Sequence, residues 1–100
     1  MGCVRIKIHK SSRFVVAVCD KEIFGKKLKD GSFQLNLASS FFDGDEFDEE
    51  EAIKILRSYF LDDASFNIVG EKSIDIAKKA GIISGGESIF CGVPVCLVLL

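Results

Sequence analysis

The chain has 100 residues, of which 48% are hydrophobic and one is proline, and this composition argues against disorder and favours one globular domain. Its charge is sorted along the sequence: residues 1–31 hold eight Lys/Arg against three Asp/Glu, whereas residues 43–63 hold two against nine. The longest apolar run, residues 93–100, is too short to span a bilayer, and the N-terminus lacks the apolar core of a signal peptide. We therefore expect a cytoplasmic protein with no membrane partner.

The first 37 residues predict a β-meander of about four strands. Apolar residues at positions 4, 6 and 8 alternate with polar ones, among them Arg5 and Lys7, which is typical of a half-buried strand with a cationic outer face. The apolar run over residues 14–19 predicts a more deeply buried strand that forms an antiparallel hairpin with the first. A tight turn over residues 20–25 and an Asp-Gly hairpin turn at residues 30–31 separate the other strands.

The rest of the chain predicts two helices. Asp48 and Glu51 have the spacing of a capping box and precede apolar residues at helical spacing, so we expect the first helix near Glu49–Leu61. Ser73 is the predicted cap of a second helix over residues 74–80, with Gly81 as its stop. Short strands are expected over residues 66–69, 88–91 and 95–99.

Together these elements predict a single α+β domain over residues 1–100, with a mainly antiparallel sheet of short hairpins and two helices packed on one side. A chain of this size buries about 65% of its unfolded surface, enough for a core without disulfides or metal. The four cysteines are therefore expected to be free thiols, three of them in or beside apolar stretches.

The sequence gives little support to a metal site or a catalytic centre. The seven acidic residues from Asp43 to Glu51 lack the ligand spacing of a calcium loop, and a helix N-terminus favours such charges without any ligand. Cys91 and Cys96 lack zinc-ligand spacing, and His9, the one histidine, has no third residue to orient it as a base for a cysteine. We therefore expect no cofactor, no metal ligands and no catalytic residues.

The basic N-terminal region suggests contact with a polyanion. Five of its residues are candidate phosphate contacts in a non-enzymatic binding module for RNA or a ribonucleoprotein: Arg5, Lys7, Lys21, Lys26 and Lys27. A solvated sheet face is the alternative explanation, and so is a contact between the basic and acidic segments inside the fold. If the two segments meet, the charge asymmetry is internal electrostatics.

Polar residues near predicted strand ends suggest a second hypothesis, a small-ligand or enzymatic site. It would bring together Asp20, Lys21, Asn67 and the turn from Gly92 to Pro94, and it requires these segments to line one cleft. Within an apolar strand, Asn67 equally suits a structural role in holding a loop backbone.

The C-terminal segment supports a third hypothesis, a protein-interaction scaffold. The stretch that begins at Val95 and runs to Leu100 is apolar at every position, which indicates a strand buried on both faces or covered by a partner. Left as an open edge, such a strand favours association, so we consider a homodimer through this segment.

Three segments in this order resemble the archaeal domain-of-unknown-function family 424. They are residues 15–26 (VVAVCDKEIFGK), residues 67–70 (NIVG) and residues 92–94 (GVP); residues 41–44 (FFDG) are similar to a further motif of the family, with Phe42 where Tyr is usual. The family usually continues with His-Ala after the last motif, where this chain has Val95 and Cys96.

The resemblance implies a small archaeal cytoplasmic protein without an established activity, for which a translation- or RNA-associated role is an analogy only. It supplies no catalytic residues. The positions that it emphasises are Asp20, Gly25, Asn67, Gly70, Gly92 and Pro94.

Overall fold

The computed structural model describes residues 2–99 and contains, in that range, eight strands and two helices. The strands are β1 (Val4–Lys10), β2 (Phe14–Asp20), β3 (Lys27–Asp30), β4 (Phe33–Asn36), β5 (Asp45–Phe47), β6 (Ser65–Val69), β7 (Ser88–Phe90) and β8 (Val93–Val98); the helices are α1 (Glu49–Leu61) and α2 (Glu71–Lys79). The predicted α+β class is confirmed. Leu100, the last residue of the predicted interaction segment, lies outside the described residues, as does Met1.

Six strands form one mixed sheet in the order β5-β1-β2-β6-β8-β7, and β3 and β4 form a separate two-stranded sheet. All neighbours are antiparallel except β2 and β6, which run parallel. The prediction of one meander is therefore wrong, because the β3–β4 hairpin leaves the sheet of β1 and β2. The turn after β2 redirects it: Gly25, with φ +92°, donates its N–H to the carbonyl of Leu37 at 3.0 Å and so closes the hairpin on itself.

Helix α1 has the predicted bounds because its signals are local. The carboxylate of Asp48 accepts the N–H of Glu51 at 2.8 Å, which satisfies one of the free donors of the first turn. Ala52 and Leu56 then point into the core and are fully buried.

Helix α2 begins three residues before the predicted start. Its N-cap position is Gly70, which has no side chain to cap the helix, and Ser73 is a buried residue of the first turn. The prediction of Ser73 as the cap is therefore wrong. The predicted exit at Gly81 agrees with its φ of +79° just after the helix.

The six-stranded sheet is covered on both faces. Both helices pack on one face of the sheet, which we call the helix face; it presents side chains such as Ile6, Val18 and Ile68. The opposite face, here the hairpin face, presents Ala17 and Val69 and is covered in part by the β3–β4 hairpin and the loop after it. The predicted placement of two helices on one side is confirmed. Because the β3–β4 hairpin and the loop after it cover the other face, β2 is buried on both faces and is apolar at nearly every position.

Candidate functional site

The basic and acidic segments meet at the β1–β5 edge of the sheet. Arg5 lies opposite Glu46 in the strand register, and its guanidinium is 3.4 Å from that carboxylate and 3.5 Å from Asp43. It also donates to the carbonyl of Gly44 at 3.1 Å. Lys21 reaches the same Glu46 at 3.1 Å. Two of the five predicted phosphate contacts therefore have carboxylate partners within the fold.

The predicted outer face of β1 is not an open cationic surface. The guanidinium of Arg5 stacks over the ring of Phe24, with 4.3 Å between its central carbon and the ring centroid. The ring of His9 stacks on Phe41 at 4.6 Å, and its Nε2 lies 2.9 Å from the Phe41 carbonyl oxygen. The turn after β2 and the loop before β5 thus cover this side of the strand. The other three predicted contacts, Lys7, Lys26 and Lys27, form no ion pair within residues 2–99.

Asp20 caps helix α2 from the end of β2. One carboxylate oxygen accepts both the N–H and the hydroxyl of Ser73 at 2.7 Å, and the other accepts the N–H of Lys72 at 3.1 Å. Asp20 is only 7% exposed, so these bonds are shielded from water. Gly70 makes room for them: its φ is +113°, and a Cβ there would overlap the Asp20 carboxylate.

Pro94 lies on the same structural junction. Its carbonyl accepts the N–H of Gly70 at 2.9 Å, while the carbonyl of Gly70 accepts the N–H of Ile74 in the first turn of α2. In a regular antiparallel pair the residue at position 94 would also donate its N–H to the Gly70 carbonyl, but proline has no N–H. Because Ile74 already donates to that carbonyl, this acceptor is not left unsatisfied. These glycine and proline positions thus join β6 and β8 to the start of α2.

Asp20, Gly92 and Pro94 of the predicted ligand site line one cleft of about 200 Å³, together with Gly70, a position that the family resemblance emphasises. Glu22 lies on its rim and pairs with Lys72; the hydrogen bond from that ammonium holds the pKa of the Glu22 carboxyl below its ordinary value. The other two predicted residues lie elsewhere, since Lys21 pairs with Glu46 and Asn67 lies in the middle of β6. Of the three carboxylates that line the cleft, those of Asp20, Glu22 and Glu71, the buried one of Asp20 is already bonded to α2 and that of Glu22 is paired with Lys72.

The described side chains provide no cluster of potential metal ligands, and the buried Cys19 is not a reactive thiol. No three His, Cys, Asp or Glu side chains are grouped as metal ligands in residues 2–99. Burial raises the pKa of the Cys19 thiol to about 12, which suits a core residue. In the same range, neither helix has the length and apolar character needed to cross a membrane.

One side of residues 96–99 faces away from β6, and we call it the free edge of β8. The sequence predicted an apolar strand here but not which part of its edge is open. The neighbour β7 pairs only with the first three residues of β8, so the remainder of β8 pairs with β6 on one side and has no strand from residues 2–99 on the other. Successive residues of an antiparallel strand direct their backbone groups to opposite edges. Because the carbonyl of Pro94 bonds to Gly70 on the β6 side, the backbone groups of Leu97 face the free edge. The side chains of Leu97 and Leu99 are 56% and 71% exposed.

An apolar groove of about 340 Å³ opens beside the free edge, on the hairpin face. Phe33, Gln34 and Leu35 of β4 and Ser88, Ile89, Phe90 and Val95 of the sheet line it. None of these side chains is charged, and Phe33 is 74% exposed. Sequence reasoning placed Phe33 in a strand but had no signal for the groove, because its walls come from segments about 55 residues apart.

A family model described as "Protein of unknown function (DUF424)" matches residues 9–87, which leaves the free edge of β8 outside the matched range. Among solved structures, the chain is similar to an uncharacterized conserved protein from Methanopyrus kandleri. That comparison has 24% sequence identity and a TM-score of 0.87, and it covers 95% of this chain and 89% of the other. At this identity the likeness shows the fold alone. A search of curated proteins found no match.

Proposed function

This chain belongs to the DUF424 family of proteins of unknown function, and we propose that it is a protein-interaction module that pairs with a second copy along the free edge of β8. One observation carries the proposal: Leu97 has its backbone groups directed outward and its side chain more than half exposed on the same strand. An unpaired edge of this kind is a template for strand addition. A second copy supplies a strand of identical, uncharged sequence, so the two edges are self-complementary.

The expected association is weak. Full burial of a leucine side chain contributes about 1.5–3 kcal/mol, and each backbone hydrogen bond adds about 0.5–1.5 kcal/mol. Two leucines from each copy and a pair of hydrogen bonds therefore contribute about 7–15 kcal/mol, while association costs about 4–15 kcal/mol. Because these two ranges overlap, we expect a small net free energy of association, so that the protein concentration decides the oligomeric state.

Analytical ultracentrifugation over about 10 μM to 1 mM tests the proposal. The wild-type mass is expected to rise with concentration, whereas Leu97→Lys is expected to stay monomeric, because a charge on an edge strand opposes pairing. Leu61→Lys is the matched control: Leu61 is 79% exposed but lies at the end of α1, so this variant should associate like the wild type. A wild type that stays monomeric throughout, or a Leu97→Lys variant that still associates, would contradict the proposal.

RNA contact is a second candidate, favoured by Lys7, Lys26 and Lys27, which have no ion pair within residues 2–99. Fluorescence anisotropy with a labelled single-stranded RNA at low salt tests it. Binding that weakens with salt and is lost in the variant Lys26→Glu with Lys27→Glu would support this candidate. Equal binding by the wild type and this variant, or none by either, would contradict it.

A further inference from the structure

We propose that the apolar groove beside β7 is the docking site for Leu99 of a second copy. The inference rests on the proposed edge-to-edge pairing of β8 and adds a reciprocal contact: each copy inserts one leucine into the groove of the other. Three features support the inference: the direction of the Leu97 backbone groups, the position of Ser88 at the start of β7, and the uncharged lining of the groove.

The backbone of β8 sets the register of the pair. With its N–H and C=O directed to the free edge, Leu97 can face the same residue of a second copy across a two-fold axis. Such a hydrogen-bonded pair exchanges both N–H···O=C bonds. A two-fold centred there joins the two six-stranded sheets into one, with both Leu97 side chains on the hairpin face.

The position of β7 determines where Leu99 goes. In this register, Leu99 of the second copy would lie opposite Val95, but that place on the edge is taken by Ser88. The incoming chain must therefore leave the plane of the sheet after its own Val98. The chain before β7 departs toward the helix face, where Glu87 pairs with Lys78 of α2 at 3.3 Å. The hairpin face is thus the open direction.

The open direction leads into the groove. Side chains alternate along a strand, so Leu99 is on the same side as Leu97 and Val95, which is the side of the groove. The exposed ring of Phe33 and the side chain of Val95 both line the groove, and a branched aliphatic side chain placed there would cover part of each. No residue from 88 to 99 is charged, so two copies meet here without repulsion between like charges.

A tryptophan reporter tests the docking separately from the pairing. The natural chain has no tryptophan, so Phe33→Trp places a single one on the groove wall. Its emission is expected to shift to the blue as concentration rises and to follow the dimer fraction from ultracentrifugation. With Leu99→Ser added, the shift at equal dimer fraction should disappear and the dissociation constant should rise at least about tenfold. Leu99→Met, which keeps the apolar bulk, should restore both.

The outcomes separate the two proposals. A dimer whose tryptophan emission does not shift, or shifts equally with Leu99→Ser, overturns the docking of Leu99 and leaves the β8 pairing in place. A protein that stays monomeric at every concentration overturns both. If Leu99→Ser weakens association at least about tenfold and removes the shift, and Leu99→Met restores both, the docking is supported.

Discussion

Replacing Asp20 by alanine should be among the most damaging single changes in the molecule. The substitution removes three hydrogen bonds and leaves the N–H and hydroxyl of Ser73 without an acceptor at a fully buried position. Loss of a helix cap costs about 0.5–2 kcal/mol, and each buried polar group left unsatisfied costs about 1–3 kcal/mol. Since such terms overlap, we expect the free energy of unfolding to fall by about 3–5 kcal/mol, a large share of the stability of a typical domain.

Urea unfolding followed by circular dichroism measures this loss directly. Asp48→Ala is the matched control, because Asp48 also caps a helix but with one side-chain hydrogen bond, to Glu51, near the surface. Its cost should be about 1 kcal/mol. Asp20→Asn should lie between the two, since an amide oxygen can still accept from Ser73 while its NH₂ group faces the N–H of Lys72. An Asp20→Ala variant no less stable than Asp48→Ala would refute the argument that a buried carboxylate holds the start of α2.

Three further outcomes are expected. Gly70→Ala should cost about 2 kcal/mol or more in urea unfolding, because its φ of +113° and the neighbouring carboxylate both oppose a Cβ. In an NMR titration, Glu22 should protonate below its ordinary pKa of 4.5, so stability from its pairing is present above that pH and is lost as pH falls; Lys72→Gln should return the midpoint toward 4.5. A thiol reagent should modify exposed Cys91 rapidly and buried Cys19 only after unfolding, and equal rates would contradict the structure.

Helix signals show how far local sequence reasoning extends in this fold. The cap of α1 and the residue that it bonds are three positions apart, and both bounds of that helix were predicted from the sequence. The cap of α2 comes from Asp20, which lies 53 residues before Ser73 in the sequence. A pattern read along the chain favoured Ser73 because it was the nearest residue of the right type. The sequence singled out Asp20 as a position of interest without indicating what it bonds.

The candidate surfaces were predictable only in part for the same reason. An uncharged C-terminal strand suggested association, and that remains our proposal for residues 96–99. The outer side of Leu97 is open because β7 begins only at Ser88, opposite Val95, and the preceding Glu87 pairs with Lys78 of α2. No local pattern in the sequence indicates that contact. Arg5 pairs with Glu46 because β5 lies beside β1 at the edge of the sheet. The alternation of charged and apolar residues along β1 predicts a strand but does not predict which segment lies next to it.

The single parallel pair of the sheet has a consequence for how the chain folds. Val15 of β2 lies opposite Ser65 of β6, so this pairing closes a loop of about 50 residues, whereas β1 and β2 pair across a short turn. Contacts so distant in sequence carry an entropic cost before they contribute stability, and they slow folding. Because β8 joins β1 and β2 only through β6, the six-stranded sheet is complete only when that loop closes. The groove needs the same closure, because β4 lines one side of it and β7 and β8 line the other. A chain in which β2 and β6 are not yet paired therefore lacks the docking site that we propose for Leu99.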